Sequence, residues 1–345
     1  MKRLLVAVGS ALALAAAAPP IAAQPGDPEV IDIGTLGGPY AFARAINNKA
    51  QVVGQSIDAA ETRIEAFVWE HGVMRPLSTP DLWFEIANDI NDHGQIVGSG
   101  RDLQGRFVAL RWDDGVLTAL PPPAGATVCS AEAINDHGDV LGWCDQQPAS
   151  QWGLIWRRTG ERVPLEGIPA GWTVGPVEIT DKGAILGGGT DDANARVAFI
   201  WDDGVLTRIN DAPGDPMFLP TALNERGHAA GWGADPLNRR AVLFDGNRVV
   251  TLPLPPGTTS STADGLNERD EVIGAVATGN GFAAAVWAQG RVRVLPSLPN
   301  TTTSFGWDIN DRGVGLGTYA TMPGETRSLI WPKAGTRVPP HLPRE

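Results

Sequence analysis

The sequence has 345 residues and carries 39 acidic against 27 basic residues, for a formal net charge of −12 at neutral pH. A field of this sign repels phosphate groups, which excludes nucleic acid as a partner, and the acids are scattered along the chain rather than gathered in a tail. The 42 glycines and 28 prolines predict many turns and therefore many short strands.

The N-terminus reads as an export signal. A basic pair, Lys2 and Arg3, precedes an apolar run from Leu4 to Ala18, and small residues continue to Ala23. This order is typical of a secretory signal peptide, and the run is too short and too rich in alanine to make a good membrane span. We therefore predict a signal peptide over residues 1–23 and export to the periplasm or the exterior of a bacterium, with no membrane anchor.

After a short linker over residues 24–30, the chain from 31 to 345 is a tandem repeat. An apolar residue before an Asn-rich turn recurs every 43 to 45 residues, at Ile46, Ile90, Ile134, Ile179, Leu223, Leu266 and Ile309. A glycine stands eight residues after each of them, at Gly54, Gly98, Gly142, Gly187, Gly231, Gly274 and Gly317. An aromatic residue follows, at Trp69, Trp112, Trp156, Trp201, Phe244, Trp287 and Trp331. Seven copies with a fixed internal offset indicate a repeat architecture.

Each copy predicts four short strands. The first ends at the apolar residue and enters a turn such as Asn91-Asp92-His93-Gly94, whose glycine suits a left-handed conformation. Two further strands and a fourth after an Asp-Gly turn complete the unit. Four-stranded antiparallel units of this length are typical of blades in a β-propeller. We predict an all-β, seven-bladed β-propeller with repeats at residues 31–80, 81–125, 126–171, 172–216, 217–258, 259–300 and 301–345.

The N-terminal segment Ile31–Leu36 resembles an unpaired fourth strand. It precedes the first complete repeat, so the chain holds one more fourth strand than the other strands require. Such a surplus favours a closed ring in which the two ends of the chain share a blade. An open solenoid is the alternative, but the near-constant copies lack the polar capping repeats that a solenoid needs.

The two cysteines, Cys129 and Cys144, flank one repeated hairpin. An even pair in an exported chain suggests a disulfide. Counting the register outward from the turn places Cys129 opposite Asp145, so a bulge is required to close the bridge. The alternative is a pair of small buried thiols.

The turns after the first strands carry acids beside bases, and two adjacent repeats supply His93 and His137. One interpretation is a collar for a cation or a polar ligand at the channel mouth, with the histidines as metal ligands. The other is ordinary turn chemistry in which each acid lies next to its own base. Two histidines are too few for a metal site, so we expect no metal and no cofactor.

Large aromatic residues outside the repeat slot gather at the opposite end of the predicted blades, where the variable loops emerge. Loops on a rigid scaffold often carry binding sites, and aromatic rings with nearby carboxylates suit sugars or extended peptides. The alternative is that these rings only cap the blades or plug the channel. The candidate ligand-binding residues are Tyr40, Trp83, Trp143, Trp152, Trp172 and Trp232.

Three short motifs resemble the HAF repeat family of bacterial extracellular proteins. Asp32–Gly38 is similar to its Asp-Leu-Gly-Thr-Leu-Gly-Gly element, and Gln51–Gly54 to its Gly-x-Val-Val-Gly element. Glu65–Trp69 is similar to its His-Ala-Phe-x-Trp element, with Glu65 in place of the histidine. The resemblance covers nearly all of the chain after the signal, and it implies export and a β-repeat structure without a known activity.

Nucleophile elbows, zinc-protease motifs and phosphate-binding loops are missing from the sequence. We therefore expect a non-catalytic, monomeric binding or scaffold protein that takes a glycan or peptide ligand through its aromatic loops. The alternative is a hydrolase or lyase acting on polysaccharide, with loop carboxylates as acid and base.

Overall fold

The computed structural model describes residues 30–145, 153–209, 217–233, 239–279, 281–321 and 325–332. The predicted signal peptide over residues 1–23 lies outside the described residues, as does the linker up to residue 29. In the described part of the chain, no helix is long and apolar enough to cross a membrane.

The described residues form 28 strands, and the prediction of an all-β chain is confirmed. The strands are β1 (Ile31–Asp32), β2 (Gly37–Ile46), β3 (Val52–Asp58), β4 (Ile64–Glu70), β5 (Val73–Pro76), β6 (Leu82–Ile90), β7 (Ile96–Asp102), β8 (Phe107–Asp113), β9 (Val116–Ala119), β10 (Cys129–Ile134), β11 (Val140–Cys144), β12 (Gly153–Trp156), β13 (Arg162–Leu165), β14 (Thr173–Ile179), β15 (Ile185–Thr190), β16 (Arg196–Asp202), β17 (Val205–Arg208), β18 (Met217–Leu223), β19 (Ala229–Gly233), β20 (Arg240–Phe244), β21 (Val249–Thr251), β22 (Ser261–Leu266), β23 (Val272–Thr278), β24 (Gly281–Ala288), β25 (Arg291–Val294), β26 (Thr301–Ile309), β27 (Gly315–Thr321) and β28 (Thr326–Trp331).

Most of these strands belong to repeated four-stranded antiparallel sheets. Five sheets run in simple chain order, from β6–β9 through β22–β25. The first repeat, β2–β5, is joined to β26–β28 through one parallel pair, Tyr40 with Thr326, which makes a mixed eight-stranded sheet. The N-terminal strand β1 pairs antiparallel with β28, so the two ends of the chain meet in one sheet.

The Asn turns are held by the asparagine side chain. In the first repeat, Asn47 Oδ1 accepts the backbone N–H groups of Lys49 and Gln51, and Asn47 Nδ2 donates to the carbonyl oxygen of Asn91 in the next repeat. The asparagine is buried, so these bonds also link neighbouring sheets. The turn position expected to be left-handed has a positive φ in all seven copies, including 61° at Ala50 and 56° at Asp270.

The repeated glycine has a steric cause. At Gly54, an added Cβ would collide with the carbonyl oxygen of Phe42 on β2, and Gly98 faces the carbonyl oxygen of Ile86 in the same way. The same collision with the first strand occurs at Gly142, Gly231, Gly274 and Gly317. In these six repeats the first strand therefore lies too close to the second for any larger residue.

The hydrophobic core is divided into seven clusters, each between two neighbouring repeats. The repeated aromatic residue belongs to these clusters, and several of its indoles reach back to a carbonyl oxygen of the preceding repeat. Trp156 Nε1 donates to Pro121, Trp287 Nε1 to Pro253 and Trp331 Nε1 to Pro296, at 2.7–2.8 Å. Each sheet is thus covered on both faces by its neighbours, so no sheet completes a core alone.

One set of hydrogen bonds runs through all seven repeats and returns to its start. These bonds are formed by the residue that follows each turn asparagine or threonine. We call these seven residues the turn ring: Asn48, Asp92, Asp136, Asp181, Glu225, Glu268 and Asp311. Each side chain accepts the backbone N–H of the equivalent residue in the preceding repeat, at 2.5–2.9 Å. The Asp311 N–H donates to Asn48 Oδ1 at 2.8 Å, which links the last repeat to the first.

Candidate ligand-binding site

The side chains of the turn ring serve to link neighbouring repeats. Its carboxylates accept backbone N–H groups of the neighbouring repeat. The ordinary-turn interpretation placed each acid beside its own basic neighbour, but the described carboxylates of the ring form their hydrogen bonds across repeats instead. His137 Nδ1 lies 2.9 Å from the carbonyl oxygen of Asp181. Among the described residues, no group of three or more His, Cys, Asp or Glu side chains is placed to hold a metal ion.

A second ring of side chains arises from a repeated irregularity. The first strand of every repeat shifts register against the second strand just before its end, at a β-bulge. A bulge bends the strand and redirects a side chain. We call the seven residues at these positions the bulge collar: Arg44, Asn88, Glu132, Val177, Thr221, Asp264 and Trp307.

The bulge collar lines one cavity of about 480 Å³, here called the bulge cavity. All seven collar residues contribute to its wall, together with Phe42 and residues next to the bulges. Because each repeat supplies one collar residue, the cavity lies at the centre of the repeats. Its size falls in the range of small-molecule and cofactor sites.

Three acids stand directly after bulges, at Asp89, Glu178 and Asp308. Asp89 accepts the N–H groups of Ile90 and Ile134, both at 2.7 Å, and so connects two neighbouring repeats. Asp308 does the same between the last repeat and the first, since its Oδ2 accepts the Ile46 N–H at 2.9 Å. These acids form the floor of the bulge cavity, and Asp89 and Glu178 also border an opening of about 280 Å³ at the turn ring.

Burial raises the pKa values of the acids on the cavity floor. Desolvation raises the pKa of Asp89 to about 6 and that of Asp308 to about 6, against the backbone N–H groups that favour the charged form. Desolvation also raises the pKa of Glu178 well above its usual value, and the nearby charges of Asp89 and Asp308 add to this effect. On the wall, desolvation raises the pKa of Asp264 to about 6.

An aromatic row leads across the surface into the bulge cavity. The ring centroids of Phe282 and Phe305 are 5.2 Å apart, those of Phe305 and Trp307 5.8 Å, and those of Trp307 and Phe42 5.1 Å. The guanidinium of Arg44 lies 5.9 Å from the Phe42 ring at the end of the row. All four rings are half-buried, so their faces remain partly open to a ligand.

Three of the predicted ligand-binding tryptophans, Trp83, Trp172 and Trp232, contact groups other than one another. Trp83 donates to the carbonyl oxygen of Ile64 at 2.8 Å, and Trp172 packs on Phe199 with centroids 6.2 Å apart. Cation–π contacts place Arg63 over Trp83, Arg208 over Trp172 and Arg239 over Trp232. In the described residues, none of the predicted rings contacts another predicted ring, and ligand binding by these three tryptophans stays a prediction.

Two other predicted residues lie close to residues that line the bulge cavity. Trp143 is 37% exposed, and its Nε1 donates to Glu132 of the bulge collar at 2.8 Å. Tyr40 accepts a hydrogen bond from Gln55 at 3.1 Å and stands two residues before Phe42. Trp152 lies outside the described residues.

The cysteines are joined in a disulfide, with Cα atoms 4.1 Å apart. The bulge at Glu132 shifts the register by one residue and brings Cys129 opposite Cys144. The disulfide therefore fixes the hairpin that carries both Glu132 and Trp143.

Sequence reasoning missed the bulge collar and the aromatic row. Trp307 is not among the predicted ligand-binding residues, yet it is the residue that joins the row to the cavity. A signal was present, because the position two before the repeated Ile or Leu holds Arg, Asn, Glu, Val, Thr, Asp and Trp in turn. A strand position that lies at a fixed offset from the repeated Ile or Leu and carries a different residue in every copy is a candidate for function.

Comparison with known proteins supports the fold. No protein-family model and no curated protein sequence matches this chain. Among solved structures, it is similar to an acylaminoacyl peptidase from Pyrococcus horikoshii, with TM-score 0.57 and 12% identity over 86% of this chain and 52% of that one. The chain thus spans about half the length of that peptidase.

Two lyase structures match over almost their whole length. Virginiamycin B lyase from Staphylococcus aureus has TM-score 0.52 and 10% identity, over 88% of this chain and 99% of that one. A streptogramin B lyase has TM-score 0.53 and 12% identity, over 88% of this chain and 97% of that one. These lyases have β-propeller folds, and at such identities the likeness concerns the fold alone. The chain is therefore an all-β protein with a β-propeller fold.

Proposed function

We propose that this protein is an exported, non-catalytic β-propeller that binds a glycan or peptide ligand in the bulge cavity. The observation that supports the proposal most directly is the convergence of seven different bulge residues on one cavity. A structural ring has no need of such variety, as the near-uniform turn ring shows. The aromatic row adds exposed ring faces of the kind that bind sugars and extended chains.

The proposal includes seven blades closed into a ring and membership of the HAF repeat family. The seven inter-repeat clusters and the bonds from Asp311 and Asp308 to the first repeat support closure. The pairing of β1 with β28 supports a blade shared by both ends of the chain. Export rests on the signal-like N-terminus and agrees with the disulfide.

The test is a glycan and peptide array probed with the purified protein and with a Trp307→Ala variant. We expect the wild-type protein to bind a restricted set of oligosaccharides and the variant to lose most of that signal, because the indole connects the aromatic row to the cavity. Trp83→Ala is the matched control, since Trp83 lies away from the cavity and should leave binding unchanged. A blank array, or equal loss in both variants, would contradict the proposal.

A polysaccharide hydrolase or lyase is the second candidate. It is favoured by Asp264, a wall carboxyl whose raised pKa of about 6 suits a general acid. Glu132, on the opposite part of the collar, would supply the second carboxylate that glycoside cleavage requires. Incubation of the array ligands with wild-type protein separates the two candidates, since only an enzyme shortens them and loses this activity in Asp264→Asn.

A further inference from the structure

The wall of the bulge cavity is strongly asymmetric in charge. Its lining includes five carboxyl groups, on Asp89, Glu132, Glu178, Asp264 and Asp308, and a single guanidinium. That guanidinium, on Arg44, is exposed and lies over the Phe42 ring at one end of the aromatic row. Burial raises the pKa of Glu178 well above its usual value, but above about pH 6 the carboxylates of Asp89, Asp264 and Asp308 still outnumber the guanidinium, so the cavity presents a negative potential to a ligand that enters it.

The carboxylates differ in what they already bind. Asp89 and Asp308 each accept two backbone N–H groups, which makes them part of the frame. Glu132 accepts only the indole N–H of Trp143, and Asp264 only the hydroxyl of Thr262 at 2.8 Å.

Neither of these two wall acids has a basic group within salt-bridge distance among the described residues, although the charge of Arg239 is near enough to Asp264 to favour its ionised form. Each is half-buried and retains acceptor capacity. A half-buried carboxylate with no cation at salt-bridge distance is stabilised by a cation that reaches it, because solvent no longer screens it fully.

The remaining wall chemistry suits a sugar. A sugar ring presents a face of C–H groups and a rim of hydroxyls, so it needs an apolar surface flanked by hydrogen-bonding groups. Trp307 and Phe42 offer ring faces, while the Asn88 amide and the Thr221 hydroxyl lie in the same wall, where each already donates to a backbone carbonyl oxygen of the next repeat and can still accept a hydrogen bond. A basic peptide would use the charges but not this pairing of rings with polar rims.

We infer that the ligand of the bulge cavity is an oligosaccharide that carries protonated amino groups, such as a chain of β-1,4-linked glucosamine. The inference rests on the proposed function and narrows it to one ligand class. Glu132 and Asp264 bind the ammonium groups, and the aromatic row stacks on the sugar rings. Neutral or acidic glycans of the same length lack the charge that the wall selects.

The experiment is a calorimetric titration of the full-length protein with two matched probes, the β-1,4-linked glucosamine tetramer and the N-acetylglucosamine tetramer. We expect the amino form to bind at least about tenfold more tightly. That preference should shrink between about 0.15 M and 1 M salt, because salt screens the charges.

Two isosteric variants locate the effect. Glu132→Gln and Asp264→Asn should each lower the preference for the amino form severalfold while leaving affinity for the acetylated form unchanged. Glu85→Gln is the control, because Glu85 is already paired with Arg101 at 2.8 Å and should not respond. Unfolding midpoints of all three variants show that the fold is intact.

The other possible results overturn either the inference about the ligand or the proposed function itself. Equal binding of the two tetramers would overturn the inference while leaving the proposed function standing. Binding of neither tetramer, together with a blank array, would remove the proposed function itself. Binding of tetralysine as tightly as the glucosamine tetramer would overturn the assignment to a sugar.

Discussion

The turn ring and the bulge collar are built alike, with one side chain from each repeat, yet they differ in variety and in commitment. The turn ring holds six acids and one asparagine, and every side chain accepts a backbone N–H of its neighbour. The bulge collar holds a guanidinium, an amide, two carboxyls, a hydroxyl, an isopropyl group and an indole around one cavity. The uniform side chains of the turn ring are all used to link the repeats, whereas the varied side chains of the bulge collar share the wall of one cavity, although Asn88 and Thr221 also bond to the next repeat.

The largest effect is expected at the turns. Replacing Asn91 by alanine removes its bonds to the Asn135 carbonyl oxygen and to the backbone N–H groups of His93 and Gln95, all in a buried setting. Buried polar groups without partners are costly, so we expect a loss of about 3 kcal/mol in the free energy of unfolding. Urea denaturation followed by tryptophan fluorescence measures it.

The matched control is Asn88→Ala in the bulge collar. Asn88 makes one hydrogen bond, to the Ala131 carbonyl oxygen at 2.8 Å, and it is only half-buried. We expect a loss of about 1 kcal/mol. Equal losses in the two variants would erase the proposed distinction between the two rings.

The disulfide stabilises the hairpin that carries Glu132. Cys129 and Cys144 are separated by 15 residues, and a loop of that length is worth about 2–3 kcal/mol when closed by a disulfide. The double alanine variant should lose that amount in urea denaturation and should also weaken ligand binding, because Trp143 no longer holds Glu132 in place. Unchanged stability after reduction of the wild-type protein would count against this account.

The cavity floor predicts an unusual response to pH. The pKa of Asp89 and of Asp308 is about 6 in the folded protein against a usual 3.8, so folding takes up protons between these values. Stability should therefore rise as the pH falls from 7 to 5, by on the order of 1 kcal/mol, because the buried charges are neutralised. Carboxyls with a lowered pKa, such as Asp102 and Asp145, oppose this only at lower pH.

Urea midpoints at pH 7 and pH 5 provide the measurement. A lower midpoint at pH 5 would show that the floor acids are stabilised as anions, contrary to the account.

The smallest effect is expected at His93. Its side chain is exposed, and its contribution to the turn is a backbone N–H that alanine retains. His93→Ala should change stability by less than about 0.5 kcal/mol. Zinc titration of the wild-type protein should give no specific binding, and a tight site lost in the variant would revive the metal collar.

Much of the frame follows from the sequence. The period, the Asn turn and the glycine at offset eight are local signals, and the structure assigns each a cause in turn geometry or in close strand approach. The extra strand at Ile31 could also be predicted, because the chain holds one more fourth strand than its repeats require and that strand must pair elsewhere.

The candidate site was not readable in the same way. A bulge is decided by how two strands fit together, so the sequence alone left the register of Cys129 one residue short of Cys144. The same bulge redirects Glu132, and its equivalents redirect Arg44, Asp264 and Trp307 into one cavity. Aromatic residues at loop ends were easier to notice, but arginine contacts cover three of them.

The most direct test of the central claim is the dissociation constant of the array's strongest-binding oligosaccharide for two variants, Trp307→Ala in the bulge collar and Asp311→Ala in the turn ring. The account predicts that Trp307→Ala raises this constant at least about tenfold. Asp311→Ala, measured well below its unfolding temperature, should leave it unchanged. An unchanged constant in Trp307→Ala, or a rise confined to Asp311→Ala, would contradict the claim that the bulge collar is the ligand site.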